Sequence, residues 1–177
     1  MNALLQTAFI NAPAVLVRAE QAEHGQDIDS LVDLNFGPDR FRKTAYRLRD
    51  GLDPLDDLGL VATQGSRLIG TIRFWQVAVQ GVSSTLLLGP IAIHPDFHGR
   101  GIGRALMNAS LENAKAQGWD AVILVGDEPY YRRFGFTRSL VQNLALPGPV
   151  DLARFLGLEL VDGALKHASG MVGRVEV

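Results

Sequence analysis

Apolar and polar positions follow one rhythm before residue 58 and another after it. Ala14 to Arg18 (AVLVR) reads as a first strand. Gln21 to Asp33 lacks proline and sets Ile28, Leu31 and Val32 on one side, which predicts a helix. Pro38 is suited to open a second helix with Phe41, Ala45 and Leu48 as its apolar stripe. From there the period shortens. Leu58 to Thr63, Leu68 to Val79 and Ser84 to Ile93 are strand-like, and the short Gln64-Gly65-Ser66-Arg67 and Gln80-Gly81-Val82-Ser83 links predict hairpins between them. A helix follows from about Gly101 to Ala116, with Ile102, Ala105, Leu106, Ala109 and Leu111 apolar and Gly118 as its stop. Ala121 to Val125 is a continuous apolar strand, expected to be covered on both faces. A short helix from Glu128 to Phe134 runs into Gly135-Phe136, and a last strand is predicted at Phe155 to Val161, beyond Pro147-Gly148-Pro149. Antiparallel hairpins followed by a βαβ-like half make a mixed α/β fold.

Composition narrows the function classes. The 177 residues are 47% hydrophobic and 20% charged, enough apolar material for one domain over 1–177. Within it, 1–13 reads as a loosely held N-terminal arm, 14–140 as the core and 141–177 as a C-terminal strand and tail. Seventeen Lys+Arg against nineteen Asp+Glu leave a net charge of −2, so a nucleic-acid partner is not expected. No apolar run approaches 18 residues, and the start has no basic segment and is interrupted by Gln6, Thr7 and Asn11. Neither a membrane span nor a signal peptide is expected, and the default location is cytoplasmic. Cysteine is absent, which excludes thiolate metal sites and a cysteine nucleophile. The four histidines lack metal-ligand spacing, so no metal is expected. Arg40, Arg42, Lys43, Arg47 and Arg49 crowd the second helix. Their ordinary reading is a solvated helix face; the sharper one is a wall of a site for an anionic acceptor.

The chemistry concentrates in Leu86 to Arg104, LLLGPIAIHPDFHGRGIGR. A buried strand runs directly into Gly99-Arg100-Gly101-Ile102-Gly103, where a helix begins. Glycines let the backbone turn tightly and leave several N–H groups pointing one way, and the helix N-terminus adds partial positive charge. Such a loop suits a phosphate or pyrophosphate, with Arg100 and Arg104 adding charge-assisted contacts. No Walker loop is present, and G-x-G-x-x-G fails for want of its third glycine. Antiparallel hairpins before the loop also argue against a Rossmann start. Gly89-Pro90 lies inside the strand, and proline's missing N–H predicts a bulge or a break in pairing there. A strand that stops pairing frees backbone groups to bind an extended ligand arm as another strand would. A pyrophosphate joined to an amide-bearing arm describes coenzyme A.

The run from His98 to Gly103 (HGRGIG) resembles the Q/R-x-x-G-x-G/A acyl-CoA loop of the GNAT superfamily of N-acetyltransferases. Tyr131 to Phe136 (YRRFGF) resembles that superfamily's Y-x-x-x-G-F element. The resemblance covers about residues 14 to 136. It implies a mostly antiparallel twisted sheet of about six to seven strands flanked by helices, splayed at the strand before the loop. It also implies acetyl-CoA as cosubstrate and an amine as acceptor. The loop amides of Gly99, Arg100, Gly101, Ile102 and Gly103, with Arg104, would hold the pyrophosphate, and Ile91, Ala92 and Ile93 the pantetheine arm and the thioester carbonyl. One donor aimed at a developing oxyanion contributes about 3–4 kcal/mol. Tyr131 matches the tyrosine that protonates the departing thiolate, with Tyr130 its close neighbour.

Two positions depart from the family's pattern. His98 stands where Gln or Arg is usual, counted still among the cofactor-binding positions as a hydrogen-bond donor, and Gly126-Asp127-Glu128-Pro129 replaces the asparagine often found ahead of the tyrosine. Asp127 or Glu128 is a candidate base or acceptor anchor, although helix N-capping is the expected role of Asp127. His94 at the strand end is the other titratable candidate, its ordinary role being a turn. The reading that results is direct transfer in a ternary complex. A noncatalytic acyl-CoA-binding or regulatory module and a plain nucleotide binder remain as alternatives, and a homodimer is possible.

Overall fold

The computed structural model describes residues 13–175. Most of the N-terminal arm therefore lies outside the described residues. Strand β1 (Val15–Ala19) leads through a 3-10 turn at Ala22–His24 into helix α1 (Gly25–Phe36). The first helix thus starts later and ends later than the sequence pattern predicts. His24 is the reason for the late start: its ring is buried and its Nδ1 accepts from the Gln21 N–H at 2.9 Å, closing a separate turn.

The second predicted helix is not continuous. A 3-10 turn over Pro38–Arg42 is cut from a single helical turn, α2 (Thr44–Arg47), by an extended Lys43 with ψ 142°. Tertiary ties override the helical pattern here. The Thr44 hydroxyl donates to the Pro149 carbonyl, and the Arg47 guanidinium donates to the Pro147 carbonyl at 3.0 Å. The solvated basic face is also corrected, because Arg40 and Arg49 are buried while Arg42, Lys43 and Arg47 are exposed.

Strands β2 (Leu60–Gln64), β3 (Arg67–Gln80) and β4 (Thr85–Ile93) form the two antiparallel hairpins expected. Helix α3 (Ile102–Ala116) follows and ends before Gly118, whose φ of +83° suits only glycine. Strand β5 (Ala121–Val125) then pairs parallel to β4. Helix α4 (Glu128–Tyr131) continues as a 3-10 turn to Phe134, and the chain adds β6 (Leu144–Ala145), β7 (Phe155–Glu159) and β8 (Ser169–Arg174). The main sheet order is β1-β2-β3-β4-β5-β7, with β8 joining the far half of β3 and carrying β6. Eight strands are thus present among the described residues, two of them (β6 and β8) without a sequence signal.

Strand alternation sorts the core. Phe74, Leu86, Leu88, Val122 and Leu124 face α3 and its Leu106 and Met107, whereas Trp75, Leu87, Ile123 and Phe155 face the other side. The register between β3 and β4 slips at Gly89-Pro90, where Ile72 opposes Ile91 but Phe74 opposes Leu88. This bulge reverses the parity of β4, as proline's missing N–H predicts. Beyond it, Ile91 and Ile93 pack on the α3 side, and Ala92 turns to α1 with Val61 and Leu68.

Candidate active site

Strands β4 and β5 pair only at Thr85–Ala121, Leu86–Val122 and Leu87–Ile123, then part. The remaining edge of β4 is open, and its register with β3 decides which groups face the gap. The His94 N–H donates to the Ile69 carbonyl at 2.8 Å, and antiparallel pairs alternate from there. Ala92 therefore directs its N–H and C=O toward Thr71, while Ile91 and Ile93 present theirs to the gap. Ala92 is 2% exposed and lines neither cavity of the site, in contrast to its expected contact with the pantetheine arm. His98 Nε2 donates to the Ile93 carbonyl at 2.8 Å, so this histidine braces the loop against the strand.

The loop has the geometry its glycines suggest. Gly99 and Gly101 sit at φ +74° and +80°, a region other residues avoid, and nothing lies within 4 Å of a Cβ placed on either. Gly101 is the N-cap of α3, which leaves the N–H groups of Ile102, Gly103 and Arg104 without helical partners. These groups, with Arg100 and Ile93, line a groove of about 860 Å³. The Arg100 guanidinium is steadied 5.0 Å from the Phe97 ring.

A second cavity of about 450 Å³ lies on the other side of the gap, walled by α2, the bulge of β4, α4 and the Pro149–Arg154 segment. Ile91, Asp127 and Tyr130 line both spaces, so the loop groove and this cavity meet there. Tyr131 faces only the second cavity, with its ring against Gly126, and Tyr130 extends its hydroxyl over Gly103. Burial raises the pKa of both phenols above the ordinary value. For Tyr131 the effect is large, reinforced by Tyr130 and Asp127 and opposed by Arg154.

Asp127 occupies the N-cap position of α4 but makes no side-chain cap. Its carboxylate, 78% exposed, instead points at Arg154 Nη2, 3.4 Å away. The expected capping role is corrected: the side chain faces the junction of the cavities. His94 lines neither cavity and is turned toward Arg67 and Asp96. The sequence carries no sign of the parts played by Gly126 and Arg154, and it offers Arg49 as a cavity wall only together with Arg40, Arg42, Lys43 and Arg47. Spacing alone did not separate Arg49 from its solvated basic neighbours.

Against known proteins, residues 56–138 match the Acetyltransferase (GNAT) domain family. The chain is 32% identical over 160 residues to the N-acetyltransferase YhbS of Escherichia coli K12, covering 89% of this chain and 95% of that one. It is also 32% identical over 82 residues to the N-acetyltransferase YjhQ of the same organism, covering 45% of each chain. The crystal structure of Escherichia coli YhbS in complex with CoA has the same fold, with a TM-score of 0.75, 30% identity and coverage of 93% and 92%. Identity sustained over nearly the full length of both chains, on one shared fold, makes this protein a member of the GNAT superfamily of N-acetyltransferases.

Proposed function

We propose that the protein transfers the acetyl group of acetyl-CoA to a primary amine by direct attack in a ternary complex. The observation that carries this reading is the meeting of two cavities at the open edge of β4, around Ile91, Asp127 and Tyr130. One cavity suits CoA. It offers unpartnered N–H groups at the α3 N-terminus for the pyrophosphate and an unpaired strand edge for the amide-bearing arm. The CoA complex of YhbS, at 30% identity, supports that assignment. The other cavity brings an acceptor to the same strand edge.

In this reading the Ile91 N–H polarises the thioester carbonyl and holds the oxyanion that forms when the amine nitrogen attacks the carbonyl carbon. The new C–N bond forms, the C–S bond breaks, and the proton lost by the amine balances the one gained by the thiolate. Tyr131 donates that second proton, and its raised pKa keeps the phenol protonated at neutral pH. Asp127, at the junction, holds the acceptor ammonium and receives its proton through water. The chain has no cysteine, so no cysteine acyl-enzyme enters the scheme.

The test is calorimetric titration with acetyl-CoA of the wild type, Gly101→Glu and Gly103→Glu, followed by thiol release with an amine panel. Micromolar binding lost in both variants, with amine-dependent thiol release by the wild type, is the expected result. Absence of wild-type binding overturns the reading, and quench-flow capture of a stoichiometric acyl-protein overturns direct transfer.

A further inference from the structure

Arg49 is the one arginine in the wall of the acceptor cavity that is buried, at 9% exposure, and it makes no salt bridge among the described residues. Its Nε has no hydrogen-bond partner. The guanidinium carbon lies 4.7 Å from the Tyr46 ring and 4.8 Å from the Trp75 ring, and Trp75 is itself anchored by donating to the Leu52 carbonyl. Two aromatic rings thus hold a cation that no carboxylate neutralises. One Nη stands 3.1 Å from where a Cβ on Gly89 would be, so the fork lies against the bulge of β4. A side chain there would displace it.

A buried, oriented and unpaired guanidinium is costly unless something completes it. The other two partly or fully buried arginines near this face have carboxylates: Arg40 pairs with Asp33, and Arg73 with Glu20. Arg49 instead lines both the acceptor cavity and a further cleft beside it. Burial depresses its pKa to about 10, so it remains a cation at neutral pH. The planar fork matches an oxyanion group, which it binds with two parallel hydrogen bonds.

Resting on the transferase reading above, we infer that Arg49 recognises an oxyanion group carried by the acceptor, so that the substrate is a small primary amine bearing a carboxylate or phosphate. The geometry limits its size. Gly89 and Ile91 are two residues apart, a separation that no backbone conformation carries beyond about 7 Å, so amine and anion belong to one compact molecule. Asp127 at the cavity junction then takes the ammonium end and Arg49 the anionic end, giving two-point recognition of opposite charges.

The experiment titrates the CoA-bound protein with 4-aminobutyrate, O-phosphoethanolamine and the neutral 4-aminobutanamide, for wild type, Arg49→Met and Arg49→Lys. At least one charged probe binds the wild type about tenfold or more tighter than the amide, as a charge-assisted pair implies. Arg49→Met abolishes the preference and Arg49→Lys retains part of it, with acetyl-CoA affinity unchanged in both. Which charged probe binds distinguishes carboxylate from phosphate. Equal wild-type affinity for charged and neutral probes, binding of none of the three, or a preference that survives Arg49→Met overturns the inference. Thiol release from acetyl-CoA is followed in parallel. Arg49-dependent binding without turnover leaves the anion site standing and removes the transferase reading, whereas turnover of neutral and charged amines alike does the reverse.

Discussion

Gly126 follows β5 directly against the edge of the Tyr131 ring, where a Cβ would overlap Cε2 and lie 2.9 Å from Cδ2. The residue holds its place through its N–H, which donates to the Arg154 carbonyl at 2.8 Å. Only a bare backbone lets the tyrosine settle into the mouth of the splay. Gly126→Ala is therefore expected to push Tyr131 out of register with the cavity at a stability cost of about 1–3 kcal/mol from overpacking. Steady-state kinetics check the consequence: kcat falls more than tenfold while the acetyl-CoA KM changes less than threefold, a split expected for a displaced proton donor.

The paired tyrosines are separable by the same measurement. Tyr131→Phe removes a hydroxyl on the acceptor side, and its kcat is expected to fall by about 100-fold or more with acetyl-CoA affinity retained. Tyr130→Phe removes the hydroxyl that overhangs Gly103 in the glycine loop. Its effect belongs in acetyl-CoA binding. If the kcat loss follows Tyr130 and not Tyr131, the proton donor has been misassigned.

Much of this arrangement is legible in the sequence, and the parts that are not have physical reasons. The hairpins of β2, β3 and β4, the glycine loop and the apolar run of β5 announce themselves through period and turn chemistry. Pro90 also announces the bulge, because a missing N–H acts locally wherever it falls. Strand β8 gives no such signal. Its residues, SGMVGR, hold two glycines and bury one apolar side chain, Val172, so it forms through its partners β3 and β6. The broken second helix fails for a related reason. Thr44 and Arg47 are tied to carbonyls about a hundred positions away, and no local pattern carries that information. Arg49 differs from Arg42 and Arg47 only in what the fold brings around it.

The phenols also predict the alkaline behaviour. Burial raises the Tyr131 pKa, so above about pH 10 the unfolded chain loses this proton while the folded protein keeps it. The unfolded state then binds fewer protons, and stability falls as pH rises. The contribution is complete below the unfolded value near 10 and is lost as pH passes through the folded value. Urea titrations at pH 8, 10 and 11 are expected to reveal a decline that is smaller in Tyr131→Phe. Activity between pH 7 and 10 is expected to rise as the acceptor amine deprotonates, with no falling limb from tyrosine in that range.

Two arginines, Arg49 buried and Arg73 mostly buried, flank the β4 bulge, and unequal stability effects are expected from the same substitution. Arg73 forks onto Glu20, its Nε 2.9 Å from Oε2, and the two side chains are only 15% and 16% exposed. Arg73→Met leaves that carboxylate buried and unpaired, a loss of about 3 kcal/mol. In a chain of this size that corresponds to a fall in Tm of roughly 6–12 °C. Arg49→Met leaves no charge behind. The ring contacts to Tyr46 and Trp75 are lost, but so is the desolvation that lowers this guanidinium to about 10. The offset puts the variant within about 1 kcal/mol of wild type or above it. Thermal and urea unfolding of both variants check the contrast. A drop for Arg49→Met as large as that for Arg73→Met would make Arg49 a structural strut, whereas a stable fold that no longer prefers charged acceptors is what a recognition residue leaves behind.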